Sequence, residues 1–296
     1  MNTQFKREDV DFYSNNTRCS AWLYLPQGGE KRPVIVMAHG LGGVREMRLD
    51  EYAERFAAAG YACFLFDYRN FGASDGKKRQ WINVRNQLAD WNCAIDLMKK
   101  DKRVDGKKIF LFGSSFSGGH VTALSAGRKD ICAAVAQCPY TNKWATMGTL
   151  SLRSTVKTVP LLIADLLSCL TGYHPVMVKL GAPRGKAALM AVPDYNVFLR
   201  QVPAGSTFVN KAPARTILEF FKYSPGRYTK HIQSPIYFAV CKKDTLAPAK
   251  ATVECARHAK KATIKEYDCG HFDIYLGEYF EEAIVDYISF FDKYAQ

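Results

Sequence analysis

Gly113-Ser114-Ser115-Phe116-Ser117-Gly118-Gly119 follows the apolar run Ile109-Phe110-Leu111-Phe112 and opens a helical pattern through His120-Val121-Thr122-Ala123-Leu124. This succession predicts a strand, a sharp turn and a helix, with a serine at the apex. Such a turn lifts a hydroxyl off the sheet edge and sets the next residue's N–H beside it at the helix N-terminus. Small residues must flank it. Counted from Ser115, Gly113 lies two before, Ser117 two after and Gly118 three after, so Ser115 is the favoured nucleophile. Ser114 and Ser117 are its rivals, and Ser117 would need Ser115 in the small position two before it. Taken alone, the heptapeptide is also compatible with a glycine-rich turn that packs or binds an anion.

A serine hydroxyl becomes a nucleophile at neutral pH when a histidine takes its proton and a carboxylate orients that histidine. Ile236-Tyr237-Phe238-Ala239-Val240 reads as a buried strand that breaks at Cys241-Lys242-Lys243-Asp244, which places Asp244 on the following loop. Ile264-Lys265-Glu266-Tyr267 reads as the next strand, and Asp268-Cys269-Gly270-His271-Phe272 puts His271 on the loop after it. Each has a plain alternative as a turn or capping residue. Asp268 is the rival acid, but it sits three residues before His271 and is expected to shape that loop. His39, His120, His174, His231 and His258 lack a strand-end position after an acid loop.

Acyl-transfer chemistry also needs donors for a developing oxyanion. The N–H of Phe116 is one candidate. The strand Pro33-Val34-Ile35-Val36-Met37-Ala38 ends in His39-Gly40-Leu41-Gly42-Gly43, where glycines let backbone approach a substrate oxygen, so Leu41 N–H is the expected second. A phosphate loop is the alternative, without a Gly-Lys-Ser/Thr ending to support it.

With these features the chain resembles the α/β-hydrolase superfamily, and more narrowly its dienelactone-hydrolase-like and S15-peptidase-like esterases. The likeness rests on Trp22-Leu23-Tyr24-Leu25-Pro26, on the His39 to Gly43 turn and on Phe66-Asp67-Tyr68-Arg69-Asn70-Phe71-Gly72-Ala73-Ser74-Asp75-Gly76. It rests equally on the Ser115 turn, the Asp244 loop and Gly270-His271-Phe272-Asp273. The chain order serine, aspartate, histidine is the one this superfamily uses. The resemblance implies a triad of Ser115, Asp244 and His271, oxyanion donors at Leu41 and Phe116, and structural roles for Asp67 and Arg69. It implies no metal and no organic cofactor. The expected reaction is cleavage of an ester, lactone or thioester. The alternatives are a lyase, C–C hydrolase or acyltransferase on a polyketide-like metabolite, or a non-catalytic binder on the same fold. A peptidase is less well supported, because nothing specifies a proline pocket.

The chain has 296 residues, 48% hydrophobic and 23% charged, enough for one α/β domain with an insertion. Strand and helix runs alternate from about Val34: a strand over Tyr61 to Phe66, an amphipathic helix over Arg85 to Lys100, a strand over Ile131 to Gln137. Helices over Leu49 to Ala59 and Phe280 to Tyr294 complete the layers. Val10 to Tyr13 and Cys19 to Leu25 read as an antiparallel hairpin. The expected architecture is a mostly parallel eight-stranded sheet with helices on both faces. Core segments 1–139 and 234–296 flank a helical cap at 140–233, with irregular connectors at Gly181-Ala182-Pro183-Arg184-Gly185, Val192-Pro193-Asp194 and Ser224-Pro225-Gly226. Asp165 and Ser168 interrupt the apolar stretch Val159 to Leu170, so a pocket-lining or cap-docking helix is expected there rather than a membrane span.

The polar opening Met1 to Arg7 has no apolar leader pattern, and the closing Tyr294-Ala295-Gln296 is no peroxisomal address. Nine cysteines without metal-ligand spacing point to reduced thiols and a cytoplasmic protein, which would leave the Asn15-Asn16-Thr17 sequon unused. Net charge is +13, with the basic residues dispersed, so nucleic acid is not an expected partner. The expected partner is a small acyl substrate, and no membrane is expected as one. Either the charge is a generic solvated surface or it attracts an anionic substrate such as a thioester of CoA or a carrier protein. Self-association is left open.

Overall fold

Strands that are buried on both faces read as unbroken apolar runs, and three such runs lie inside the sheet. In a computed structural model describing residues 5–172 and 174–295, Ala62–Phe66 (β4), Ala133–Gln137 (β6) and Ile236–Cys241 (β10) are buried throughout. They are joined by Phe5–Ser14 (β1), Thr17–Pro26 (β2), Arg32–Ala38 (β3), Val104–Ser114 (β5) and Ala262–Tyr267 (β11) in an eight-stranded sheet of order β1-β2-β4-β3-β5-β6-β10-β11. The β1–β2 and β2–β4 pairs are antiparallel, and every other neighbour is parallel. Asn15 and Asn16 both take positive φ in the β1–β2 turn, the geometry that matches strand twist in a two-residue hairpin. The readings for residues 1–4 and for Gln296 lie outside the described residues.

Alternate residues of each strand serve two cores. Val34, Val36 and Ala38 join a cluster with Trp91, Val121 and Ala256, while Ile35 and Met37 join one with Tyr52, Phe56 and Tyr287. Helices Leu49–Ala58 (α1) and Gly277–Asp292 (α9) therefore cover one face. Helices Val84–Lys100 (α2), Phe116–Gly127 (α3) and Ala249–Ala256 (α8) cover the other. Asp67 and Arg69 are both structural: Asp67 accepts from the N–H groups of Arg45 and Ala73, and Arg69 forms a buried ion pair with Asp90.

Between β6 and β10 lie the helices Lys143–Gly148 (α4), Leu152–Thr171 (α5), Tyr195–Leu199 (α6) and Ile217–Lys222 (α7). These four helices make up much of the insert. It also carries a small sheet of order β8-β7-β9, built from Met177–Pro183 (β7), Ala188–Val192 (β8) and Ala212–Pro213 (β9). The stretch Gly181 to Pro183 is thus strand rather than connector: it pairs with Met190 to Val192, and Gly181 faces the Phe198 ring, where a Cβ would come within 2.9 Å of it. The apolar stretch from Val159 is part of α5, whose 20 residues are long and apolar enough, by length and composition, to cross a membrane.

Candidate active site

β5 ends at Ser114 and α3 begins at Phe116, so one residue must reverse the chain. Ser115 does so at φ 58° and ψ −120°, a conformation that costs a non-glycine residue about 1–3 kcal/mol and persists only where its surroundings enforce it. They do: Ser115 N–H donates to Gln137 O at 2.8 Å, and Ser115 O accepts from Tyr140 N–H at 2.9 Å. The small residues are required by contact. A Cβ on Gly113 would lie 2.5 Å from Ser117 O, and one on Gly119 would lie 2.5 Å from Tyr140 O.

The two rival serines point into the core. Ser114 Oγ accepts from Gln137 Nε2 at 2.9 Å and pairs with the Tyr275 hydroxyl. Ser117 Oγ is bonded to the Tyr68 hydroxyl and is fully buried. Of the three, Ser115 is the one at the cavity.

His271 and Asp244 arrive from successive strand ends. Lys242 N–H donates to Tyr267 O at 2.9 Å and Lys243 N–H to Cys269 O at 3.0 Å, which laces the two loops together. Asp244 Oδ1 accepts from the N–H groups of Leu246 and Ala247, each at 2.7 Å, leaving Oδ2 to accept from His271 Nδ1 at 2.6 Å. A carboxylate only accepts, so the proton sits on Nδ1 and the Nε2 lone pair faces Ser115 Oγ at 2.9 Å. Burial disfavours the imidazolium of His271, but the Asp244 carboxylate outweighs it and raises the pKa above the ordinary 6.5. Gly270 N–H donates to Asp273 Oδ2 at 2.8 Å and shapes the histidine loop.

The other candidates are placed elsewhere. Asp268 faces solvent and pairs with Lys243. His120 is a core residue between Gln87 and Tyr223, and His174, His231 and His258 are exposed. Cys138, Asp244 and His271 bring potential metal donors within 4.8 Å of one another. The Asp244–His271 hydrogen bond already uses two of these donors.

The Gly40–Leu41 turn runs directly against the serine: a Cβ on Gly40 would lie 3.0 Å from Ser115 Cβ. Leu41 and Phe116 flank Ser115 and His271 in a cavity of about 190 Å³ whose far walls come from the insert, including Met147, Thr158, Leu162, Ile217 and Phe220. These walls are almost wholly apolar. A second recess of about 40 Å³, lined by His39, Gly43, Gln201 and Phe272, shares Leu41, Ser115, Met190 and His271 with the first. The serine therefore stands between a large apolar chamber and a small, more polar one.

Sequence reading overlooked Asp194. Its Oδ1 accepts from Thr245 Oγ1 at 3.0 Å, beside Asp244, and a Cβ on Gly270 would lie 3.7 Å from its Oδ2. Val192-Pro193-Asp194 gave only a turn signal. The aromatic clamp was also overlooked: Phe116 packs on Tyr140, Phe220 and Tyr223, and the Tyr140 hydroxyl donates to the carbonyls of Phe220 and Tyr223.

The sheet, the serine turn and the layered helices define an enzyme of the α/β-hydrolase type. A family model described as serine aminopeptidase, S33, matches residues 29–275, and the chain belongs to that family. This is the superfamily that the sequence resembles; the description names neither of the narrower likenesses, dienelactone hydrolase or S15 peptidase. The quorum-quenching protein AidA of Acinetobacter baumannii is 44% identical over 286 residues, covering 96% of this chain and 94% of that protein. The polyketide transferase af380 of Aspergillus fumigatus is 28% identical, covering 97% of this chain and 98% of that one. Among solved structures, DcsB in complex with its substrate analogue superposes with a TM-score of 0.82 at 23% identity, covering 98% of this chain and 99% of that one, which is a likeness of fold.

Proposed function

We propose that the protein is a serine hydrolase that cleaves an ester, lactone or thioester with an apolar acyl chain through an acyl-enzyme. The observation that carries this reading is the unbroken hydrogen-bonded series Ser115 Oγ, His271 Nε2, His271 Nδ1, Asp244 Oδ2, at 2.9 and 2.6 Å. His271 Nε2 takes the hydroxyl proton as Ser115 Oγ attacks the carbonyl carbon, and Asp244 stabilises the imidazolium. The N–H groups of Leu41 and Phe116 receive the oxyanion, and a single donor of this kind is worth about 3–4 kcal/mol. His271 then returns the proton to the departing oxygen or sulfur. It next activates a water that releases the acid and frees Ser115.

The two recesses allot the substrate's ends. The large chamber, walled by the insert at 140–233, takes the acyl chain, and the small recess beside His39 and Gln201 takes the leaving group and the water. A panel of p-nitrophenyl esters tests this. kcat/KM is expected to rise from acetyl to medium chains, and a panel led by acetyl would count against the apolar chamber as acyl site.

A second reading keeps Ser115 and changes the acceptor. The transferase relative spans nearly the whole chain, and a small recess that admits an alcohol or carbanion in place of water would pass the acyl group on to it. Turnover in ¹⁸O-labelled water separates the two: label in the acid product means hydrolysis, and an unlabelled acyl adduct means transfer.

A further inference from the structure

Helix α5 is amphipathic the wrong way round for a helix packed on a protein core. The residues it buries are polar, namely Ser154, Thr158 and Asp165. Its apolar residues Leu152, Val156, Val159, Ile163, Leu167 and Leu170 recur at spacings of three and four and form one outward stripe, with Leu152 79% and Leu170 85% exposed. At 1.5 Å per residue the stripe runs about 30 Å. An apolar surface of this length and continuity marks an interaction face.

The stripe is bordered by positive charge. Arg153 and Lys157 lie on the helix itself, and Lys157 Nζ donates to Gly185 O in the Arg184-Gly185-Lys186 turn, which sets two further exposed cations beside it. Residues 140–233 contain twelve Lys and Arg against three Asp and Glu, which puts +9 of the chain's net +13 in this third of the sequence. At the pocket end, Lys143 lies over the Trp144 ring and donates to Phe221 O.

We infer that this face of the insert docks in the plane of an anionic phospholipid surface, with the α5 stripe in the acyl boundary and its flanking cations at the headgroups. The charge selects this occupant: two copies meeting through the face would each bring a strongly positive surface to the other, whereas anionic lipid complements it. The polar face excludes a spanning helix. Asp165 accepts from Val176 N–H and from the backbone and guanidinium of Arg215, so inserting α5 across a bilayer would strip a buried ion pair from the insert. A helix lying in the interface keeps those bonds and buries only the stripe. Val159, Leu150 and Phe221 are exposed and also line the large cavity, so the cavity edge opens at the docked face. An apolar chain could then pass from the lipid to Ser115 without crossing water. This runs against the sequence-based expectation of no membrane partner.

Co-sedimentation of the whole protein with phosphatidylglycerol/phosphatidylcholine vesicles tests the inference. It reads binding alone, so it is independent of the proposed chemistry, and Ser115→Ala protein is expected to bind equally well. Binding is expected to fall with added salt and to be weak on pure phosphatidylcholine. Leu167→Gln with Leu170→Gln, both outside the cavity, is expected to weaken it at least about tenfold while leaving hydrolysis of a soluble short ester unchanged. Arg184→Gln with Lys186→Gln is expected to weaken it with the stripe intact, about fivefold or more. No sedimentation at low salt would overturn the inference. So would binding insensitive to the leucine pair, which is mere adsorption of a cationic protein. A dimer in sedimentation equilibrium that the leucine pair abolishes would assign the stripe to a second copy and overturn it as well.

Discussion

The Tyr68 hydroxyl lies 2.9 Å from Ser117 Oγ beneath the sharp turn, and Trp91 Nε1 donates to the same tyrosine oxygen at 2.7 Å. Tyr68 and Ser117 thus share a fully buried hydrogen bond, so Ser117 is committed to the core and unavailable to substrate. Ser117→Ala is therefore expected to keep ester hydrolysis within a few-fold and to lose about 1 kcal/mol of stability in urea titration. Ser115→Ala is expected to fold normally and to lose at least about a thousandfold in kcat.

The acid limb of activity is expected to report His271. The Asp244 carboxylate holds its pKa above the ordinary 6.5, overcoming burial. Below that raised value Nε2 is protonated and cannot accept the serine proton. The kcat/KM profile is therefore expected to fall on the acid side from above pH 6.5, and Asp244→Asn is expected to shift the limb to lower pH. The same variant should lower kcat on the order of 10³–10⁴-fold, because the wrong imidazole tautomer then faces Ser115. An unmoved limb in Asp244→Asn would assign the titration to another group.

Asp194 is expected to act as a positioning residue, since it accepts from Thr245, next to Asp244, across 51 residues of sequence. Asp194→Ala is expected to cost about tenfold in kcat with little change in KM, as a small displacement of the acid loop would. Asp194→Asn keeps an acceptor for Thr245 and is expected to restore most of the loss. An equal rise in KM would point instead to a collapsed insert.

His120 is buried between Gln87 and Tyr223, and burial, with repulsion from His39, pushes its pKa from the ordinary 6.5 to about 3. Between those values the unfolded chain binds the proton and the folded chain does not, so stability is lost as pH falls through that window. His39, pushed down by burial to about 4, acts in the same direction. His120→Gln is expected to be less stable at pH 7, yet to lose less stability than the parent between pH 6 and pH 4 in thermal melts.

Much of the candidate site was legible because it is written at strand ends. An apolar run that stops at a glycine-rich turn, at Lys242-Lys243-Asp244 or at Cys269-Gly270-His271 announces itself within a few residues, and the chain order supplies the rest. The sheet was legible for the same reason, since fully buried parallel strands leave unbroken apolar runs. Two features were not. The insert's small sheet is hidden by Gly181 and Pro183, whose turn signal is local while the reason for the glycine is the Phe198 ring that packs on it. The orientation of α5 is equally hidden. Its apolar stripe is visible in the sequence, but the Asp165–Arg215 pair that helps to turn the polar side inward is made across 50 residues.

The central claim is that Ser115 is a nucleophile activated by His271, and fluorophosphonate labelling of the purified protein tests it most directly, because the probe reacts with an activated serine whatever the natural substrate. The account predicts a single adduct by intact mass, mapped to Ser115 and lost in both Ser115→Ala and His271→Ala. A folded protein that takes no adduct, or one labelled at Ser117 or Ser114, would contradict it.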